Sequence, residues 1–352
     1  MSVMGYKLWI KEGRLYPVVP LFDFLGIVPP LLHTVLFALI LIGLLLLMIF
    51  PQKRFLLIGT LIIILCSCVL DILRWQPWEY QFIFFLLIFI FNHKKPQSLY
   101  SAIVFVLASL YIYSGLHKVN GGFLHMVWDT LILNRFLGLP GALIKKLHYA
   151  GLIVPLIEVV AGLSLLFVKK KLVPVIVLTV MHVFIIILLC KVDINYNSIV
   201  LPWNFAILMM LWFYYYQEPY QFLFTDIIKQ KNIVVLSLWG IAPVLSFIGY
   251  WDVYLSSSLY SGDTKYMDIC IENTAVVTPL RVYFSNDDRR NICTGQVRLP
   301  LYRWARDETG ILPYPEDWYY KKFAKEFKKM YPDTDATLTI YSYPFKERRQ
   351  ID

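Results

Sequence analysis

Charge is what this chain has least of. Only 16% of its 352 residues are Asp, Glu, Lys or Arg, against about a quarter in soluble domains, and that scarcity excludes an ordinary water-soluble globule. Cysteine is scarce too: five in the whole chain, too few for a disulfide-built scaffold. No Cys-x-x-Cys pair occurs, the six histidines include no His-x-x-x-His pair, and no glycine-rich phosphate loop is found, so the sequence assigns no metal ligands and no nucleotide site. Internal repeats and low-complexity tracts are missing as well. The net charge of +9 is spread over loops and tail without a basic stripe, which argues against nucleic acid as a partner.

What the chain has in abundance is apolar surface, with 58% hydrophobic residues and a mean hydropathy of +0.60. Apolar runs long enough to cross a roughly 30 Å hydrocarbon core recur. They fall at 31–50, 55–73, 80–92, 99–118, 149–168, 172–191, 200–216 and 233–251, the third being short. The sequence therefore predicts an all-α polytopic membrane bundle of about eight spans over residues 1–252. The opening 30 residues lack the basic, apolar and cleavage pattern of a signal peptide, so no cleaved leader is expected.

Lys53 and Arg54, then Lys94 and Lys95, then Lys169, Lys170 and Lys171 sit in alternate connections. The positive-inside rule puts those connections in the cytoplasm and both termini outside. The 119–148 connection carries Arg135, Lys145 and Lys146 on the outer side; its amphipathic stretch 123–136 reads as lying in the interface.

Hydropathy falls after Asp252, and 253–352 reads as a small C-terminal α+β extramembrane domain. Strands are predicted at 266–272, 280–285 and 337–343. A helix is predicted at 317–330, acidic at its start and basic at its end, with Tyr320, Phe323 and Phe327 on one face. Cys270 and Cys293 lie in this tail, where an oxidising compartment permits a disulfide; the sequence leaves that bond open. Cys66, Cys68 and Cys190 fall in helices, as small hydrophobes.

Titratable groups within or at the ends of spans are few: Asp71, His117, Lys118, Glu158, His182 and Lys191. Each is costly in hydrocarbon and is expected to face the bundle interior and pair. Glu158 reads either as a hydrogen-bonded packing residue or as a proton-handling acid and counter-ion, with His182 a candidate partner. Asp71 and Arg74, with Trp75 and Trp78, read as an aromatic belt with a neighbour ion pair, or as the wall of an outer pocket whose rings stack on a planar ligand. Lys118 reads as a snorkelling anchor or, desolvated, as a base.

Three segments carry a resemblance. Pro20-Leu21-Phe22-Asp23, Asp71 with Trp75, and Tyr113-Ser114-Gly115-Leu116-His117-Lys118 resemble, in order, motifs of the HTTM (horizontally transferred transmembrane) proteins and of the membrane part of vitamin K-dependent γ-carboxylase. The resemblance covers roughly residues 15 to 215, and a looser one is to DoxX-like membrane proteins. It implies a bacterial cytoplasmic-membrane protein with a periplasmic tail, Lys118 as the base that deprotonates a quinol, and a quinone as the ligand. Asp71, Trp75, Trp78, His117, Glu158 and His182 would shape or tune the site. Gln76-Pro77-Trp78 replaces the carboxylase's Asn-Asn-His, and the hundred-residue tail is shorter than the carboxylase's lumenal region, so glutamate carboxylation is not expected. A different class stays open: a non-catalytic membrane subunit, surrounded by lipid, that anchors its outer domain to an envelope protein partner.

Overall fold

The computed structural model describes residues 3–191, 199–217, 220–273, 277–288 and 291–351. An apolar helix falls on each of the eight apolar runs. Four are long and apolar enough to cross a membrane by length and composition: α1 Pro30–Ile49, α4 Pro96–His117, α6 Gly141–Phe167 and α7 Leu172–Lys191. Four are shorter: α2 Arg54–Leu70, α3 Pro77–Phe91, α8 Val200–Tyr216 and α9 Ile233–Ile248. Between α4 and α6 the chain forms α5, a π-helical segment Phe123–Phe136, on the stretch predicted to be amphipathic. α1, α3 and α4 each open on a proline at the first helical position, where its missing N–H costs nothing and its fixed φ starts the helix.

α4 is the hub. In its most apolar window 72% is buried, against 17% for α1 and 28% for α7, whose exposed Leu, Ile, Val and Phe side chains form a surface suited to lipid. α4 packs antiparallel to α6 with no gap. A Cβ on Gly115 would lie 2.7 Å from Val159 Cγ2 and 2.8 Å from the Pro155 carbonyl, and one on Gly162 would lie 2.9 Å from Tyr111 Cβ. Glycine at both crossing points lets the backbones touch, the usual device where lipid offers no hydrophobic drive between helices.

The two ends of the bundle differ chemically. At one end Asn92 and Asn232 exchange amide hydrogen bonds of 2.9 and 3.0 Å, and Lys171 donates to the Tyr220 carbonyl at 2.6 Å while its ammonium sits over the Tyr100 and Tyr214 rings. At the other end a polar cap is built jointly by the tail and the segment before α1. Glu308 accepts from the backbone N–H groups of Leu15 and Tyr16 and from Trp304 Nε1, Tyr16 and Tyr319 share a hydroxyl hydrogen bond of 3.0 Å, and Lys322 donates to the Leu21 carbonyl and to Asp23. The 71–80 and 117–123 connections meet the same cap through Tyr80 to Tyr314 and Asn120 to the Ser261 carbonyl. Tail, leading segment and these two connections therefore share one end.

The cap holds a four-stranded antiparallel sheet in the order β2-β1-β3-β4, with β1 Tyr266–Ile271, β2 Val297–Pro300, β3 Ala336–Tyr341 and β4 Arg348–Ile351. Helices α10 Leu301–Thr309 and α11 Asp317–Met330 accompany it. α11 is the predicted helix, and Tyr320, Phe323 and Phe327 are buried along it. The predicted strand at 280–285 is instead a 3-10 turn over Thr278–Tyr283: Pro279 removes a ladder donor and presets a turn φ, leaving only a bridge from Ser285 to Arg298. Cys270 on β1 and Cys293 are joined by a disulfide with a Cα separation of 5.2 Å.

Candidate functional site

Lys118 caps the C-terminal end of α4, where carbonyl oxygens lacking helical partners favour a cation. Its Nζ donates to the Ser114 carbonyl at 3.2 Å and to Ser114 Oγ, one turn back. From α6 comes the counter-ion: Glu158 Oε2 lies 2.7 Å from Nζ, with the two side chains 12% and 7% exposed. A snorkelling lysine would put its head into water; this one turns inward. The close glycine crossings between α4 and α6 bring the carboxylate within reach.

A second polar group lies one face away. Tyr111, two turns before Lys118 on α4, bonds its hydroxyl to His182 Nε2 on α7 at 2.8 Å. His182 Nδ1 lies 2.6 Å from Asn204 Oδ1 on α8, and Asn204 Nδ2 donates to the Val200 carbonyl at 2.7 Å. Because the Asn204 amide nitrogen is committed to that carbonyl, its oxygen accepts from His182 Nδ1–H, and the bare Nε2 accepts from Tyr111. The partners of His182 are thus Tyr111 and Asn204, and the partner of Glu158 is Lys118, which corrects the expected Glu158 to His182 pair.

His117 points elsewhere. Its Nε2 meets Ser246 Oγ at 3.0 Å and its ring stacks on Phe247 at 4.3 Å, tying α4 to α9. Asp71 is fully buried and pairs with Arg14 at 2.7 Å, not with Arg74 as its neighbouring position suggested. It also accepts from the Val19 and Leu73 backbone N–H groups, capping the 3-10 turn Ile72–Arg74. Arg74 turns back to bond the Leu8, Trp9 and Ser67 carbonyls, Ser67 Oγ and His33 Nδ1; burial pushes its guanidinium down to about 10 while Asp71 opposes the shift. Trp75 packs on Tyr80 at 5.1 Å, and Trp78 is buried edge-on to Trp203. Asp71 therefore ties the leading segment to the α2 to α3 connection, Trp78 packs inside the bundle against α8, and Lys118 and Glu158 form the paired centre with the Tyr111, His182 and Asn204 chain beside it.

Ser114, Tyr111 and Asn204 are members of this group that the sequence expectations omit. Ser114 stands four residues and Tyr111 seven before Lys118, the spacing of one helix face, and Asn204 is an isolated amide in an apolar run; both signals are present in the sequence. Two clefts in the cap region are lined elsewhere, one by Arg281, Phe284, Asp287 and Arg303 and the other by Lys11, His33, Glu326 and Lys329. In comparisons with known proteins, no family model, curated protein or solved structure matches this chain.

Proposed function

We propose that the chain is an eight-span protein of the bacterial cytoplasmic membrane, HTTM-like in character, with both termini and the cap in the periplasm. It binds a quinol-type lipophilic molecule at the outer ends of α4 and α6 and accepts a proton from it. The observation that carries this reading is the Lys118 to Glu158 pair, 2.7 Å apart and mostly withdrawn from water where the cap end of α4 meets α6. Buried ionisable pairs in membrane bundles are costly and mark sites of proton or ligand handling.

The chemistry runs as follows. Arrival of an apolar ligand removes water from the pair, which favours the neutral amine and carboxylic acid over the ion pair. Lys118 Nζ, then an amine, takes the proton of the ligand hydroxyl and becomes an ammonium, leaving the ligand as its oxyanion beside that new charge. Ser114 Oγ and the Ser114 carbonyl orient the nitrogen. Glu158 holds the proton it took and returns the pair to its resting state by releasing it toward the cap.

One observation favours the second reading, a non-catalytic subunit that docks its cap on an envelope protein. The centre's ions satisfy one another. The two are separated by lipid extraction of detergent-purified protein and by mass spectrometry of the extract. A quinone retained by the native chain and lost in Lys118→Met, with folding intact, supports the site; a stoichiometric protein partner and no quinone supports the anchor.

A further inference from the structure

The loop between α4 and α6 brings together three side chains that no spacing motif announces. His125 and Asp129 are one turn apart on α5, and His148 opens the 3-10 turn His148–Leu152 within α6. Asp129 Oδ2 lies 2.7 Å from His148 Nδ1 and 3.4 Å from His125 Nδ1, and one donor atom from each of the three falls within 4.8 Å of the others. The imidazole rings face each other at 4.7 Å, tilted by 36°. Asp129 Oδ1 is buried without a hydrogen-bond partner, a state that costs free energy unless something else satisfies the oxygen.

The elements carrying these donors are locked together. Trp128 Nε1 donates to the Leu147 carbonyl at 2.9 Å, and a Cβ on Gly151 would strike the Trp128 ring at 2.6 Å, so the turn bearing His148 lies directly on α5. His125 stacks on Tyr343 of the cap at 5.7 Å. π-Helical segments, which place side chains differently from an α-helix, recur at functional sites.

We propose that His125, Asp129 and His148 form a Zn²⁺ site with a fourth position open to water. Two imidazoles and a carboxylate suit a borderline cation, and three protein ligands with one exchangeable position is the pattern of zinc sites that do chemistry or accept a ligand in trans. With bonds of about 2.0 to 2.1 Å, tetrahedral donors stand roughly 3.3 Å apart. The two Asp129 contacts of 2.7 and 3.4 Å bracket that spacing, and the two histidine donors lie within 4.8 Å of each other, a gap that side-chain rotation closes onto one ion. The metal replaces the proton between His148 and Asp129. Bound there, it pins α5 to the start of α6, ten residues before Glu158.

The test uses full-length protein in detergent, carrying no polyhistidine tag and stripped with chelator. Zn²⁺ is titrated against a chromophoric chelator, and Co²⁺ is added separately to read ligand-field absorption in the visible. One Zn²⁺ per chain, tetrahedral Co²⁺ bands, and at least tenfold weaker binding in His125→Ala and in Asp129→Asn support the site. His125 is more than half exposed, so its replacement leaves the fold intact, and unchanged thermal unfolding of the stripped variant verifies that. Failure of the native chain to bind, or equal affinity in His125→Ala, overturns it.

Discussion

The Lys118 to Glu158 pair makes a quantitative demand on stability. Removing one member of a buried ion pair leaves the other charge uncompensated, at a cost of about 3–5 kcal/mol, whereas removing both is close to neutral. Glu158→Gln leaves the Lys118 ammonium with the Ser114 carbonyl and hydroxyl and with favourable helix-end carbonyls; with the lysine side chain 12% exposed, the cost belongs at or below the low end, about 2–3 kcal/mol. Lys118→Met keeps much of the stem's bulk and leaves Glu158 without its ion-pair partner, for a loss of about 3 kcal/mol. Lys118→Met combined with Glu158→Gln should recover to within about 1 kcal/mol of native, a coupling of at least about 4 kcal/mol, well above the level at which independent sites add. Reversible unfolding in mixed micelles by SDS titration, followed by the fluorescence of the ten tryptophans, measures all four corners of the cycle. Losses that add to within about 0.5 kcal/mol would refute the pairing.

Gly115→Ala and Gly162→Ala each force α4 and α6 apart, since the new methyl meets backbone or Cβ atoms below 3.0 Å; each should cost about 1–3 kcal/mol, and a melting temperature equal to native would contradict the close crossing. Reduction of the Cys270 to Cys293 disulfide, which spans 23 residues, should destabilise the cap by about 3 kcal/mol, and the denatured, unreduced chain should titrate only Cys66, Cys68 and Cys190 as free thiols. Burial raises the Asp252 carboxyl above its ordinary 3.8, against opposing hydrogen bonds from Tyr314 and from the Leu255 and Tyr254 backbone. The folded state thus holds this proton longer than the unfolded chain, so stability from this group falls as pH rises from about 3.8 through the raised folded value and is level above it. Asp252→Asn should flatten that segment of the stability curve, and an unchanged slope would remove Asp252 as its source.

The helices were legible because hydrophobic run length is a one-dimensional signal, and so was α11, whose charge order and aromatic face agree. The strand at 280–285 failed on Pro279, whose effect on the ladder outweighs the β-propensity of the Val282 to Phe284 stretch. β2 and β4 are four residues each, too short to show an alternation, and are fixed by pairing with β1 and β3. At the candidate site, Lys118 and Glu158 stood out as charges in apolar runs, but their pairing depends on the tertiary approach that Gly115 and Gly162 permit. Asp71 illustrates the same limit: Arg74 is three residues away and Arg14 fifty-seven, yet Arg14 holds the carboxylate because the leading segment folds back over the α2 to α3 connection. His125, Asp129 and His148 escaped notice for a related reason, since the second histidine arrives from a separate turn.

The most direct test of proton acceptance by Lys118 is an anaerobic titration of a short-chain quinol into the protein in lipid nanodiscs, with the quinolate read by its shifted ultraviolet absorption. Native protein should produce quinolate in proportion to chain at a pH where the free quinol stays neutral, while Lys118→Met, folded to the same extent, should produce none. Equal quinolate from both proteins, or none from either, would contradict Lys118 as the base.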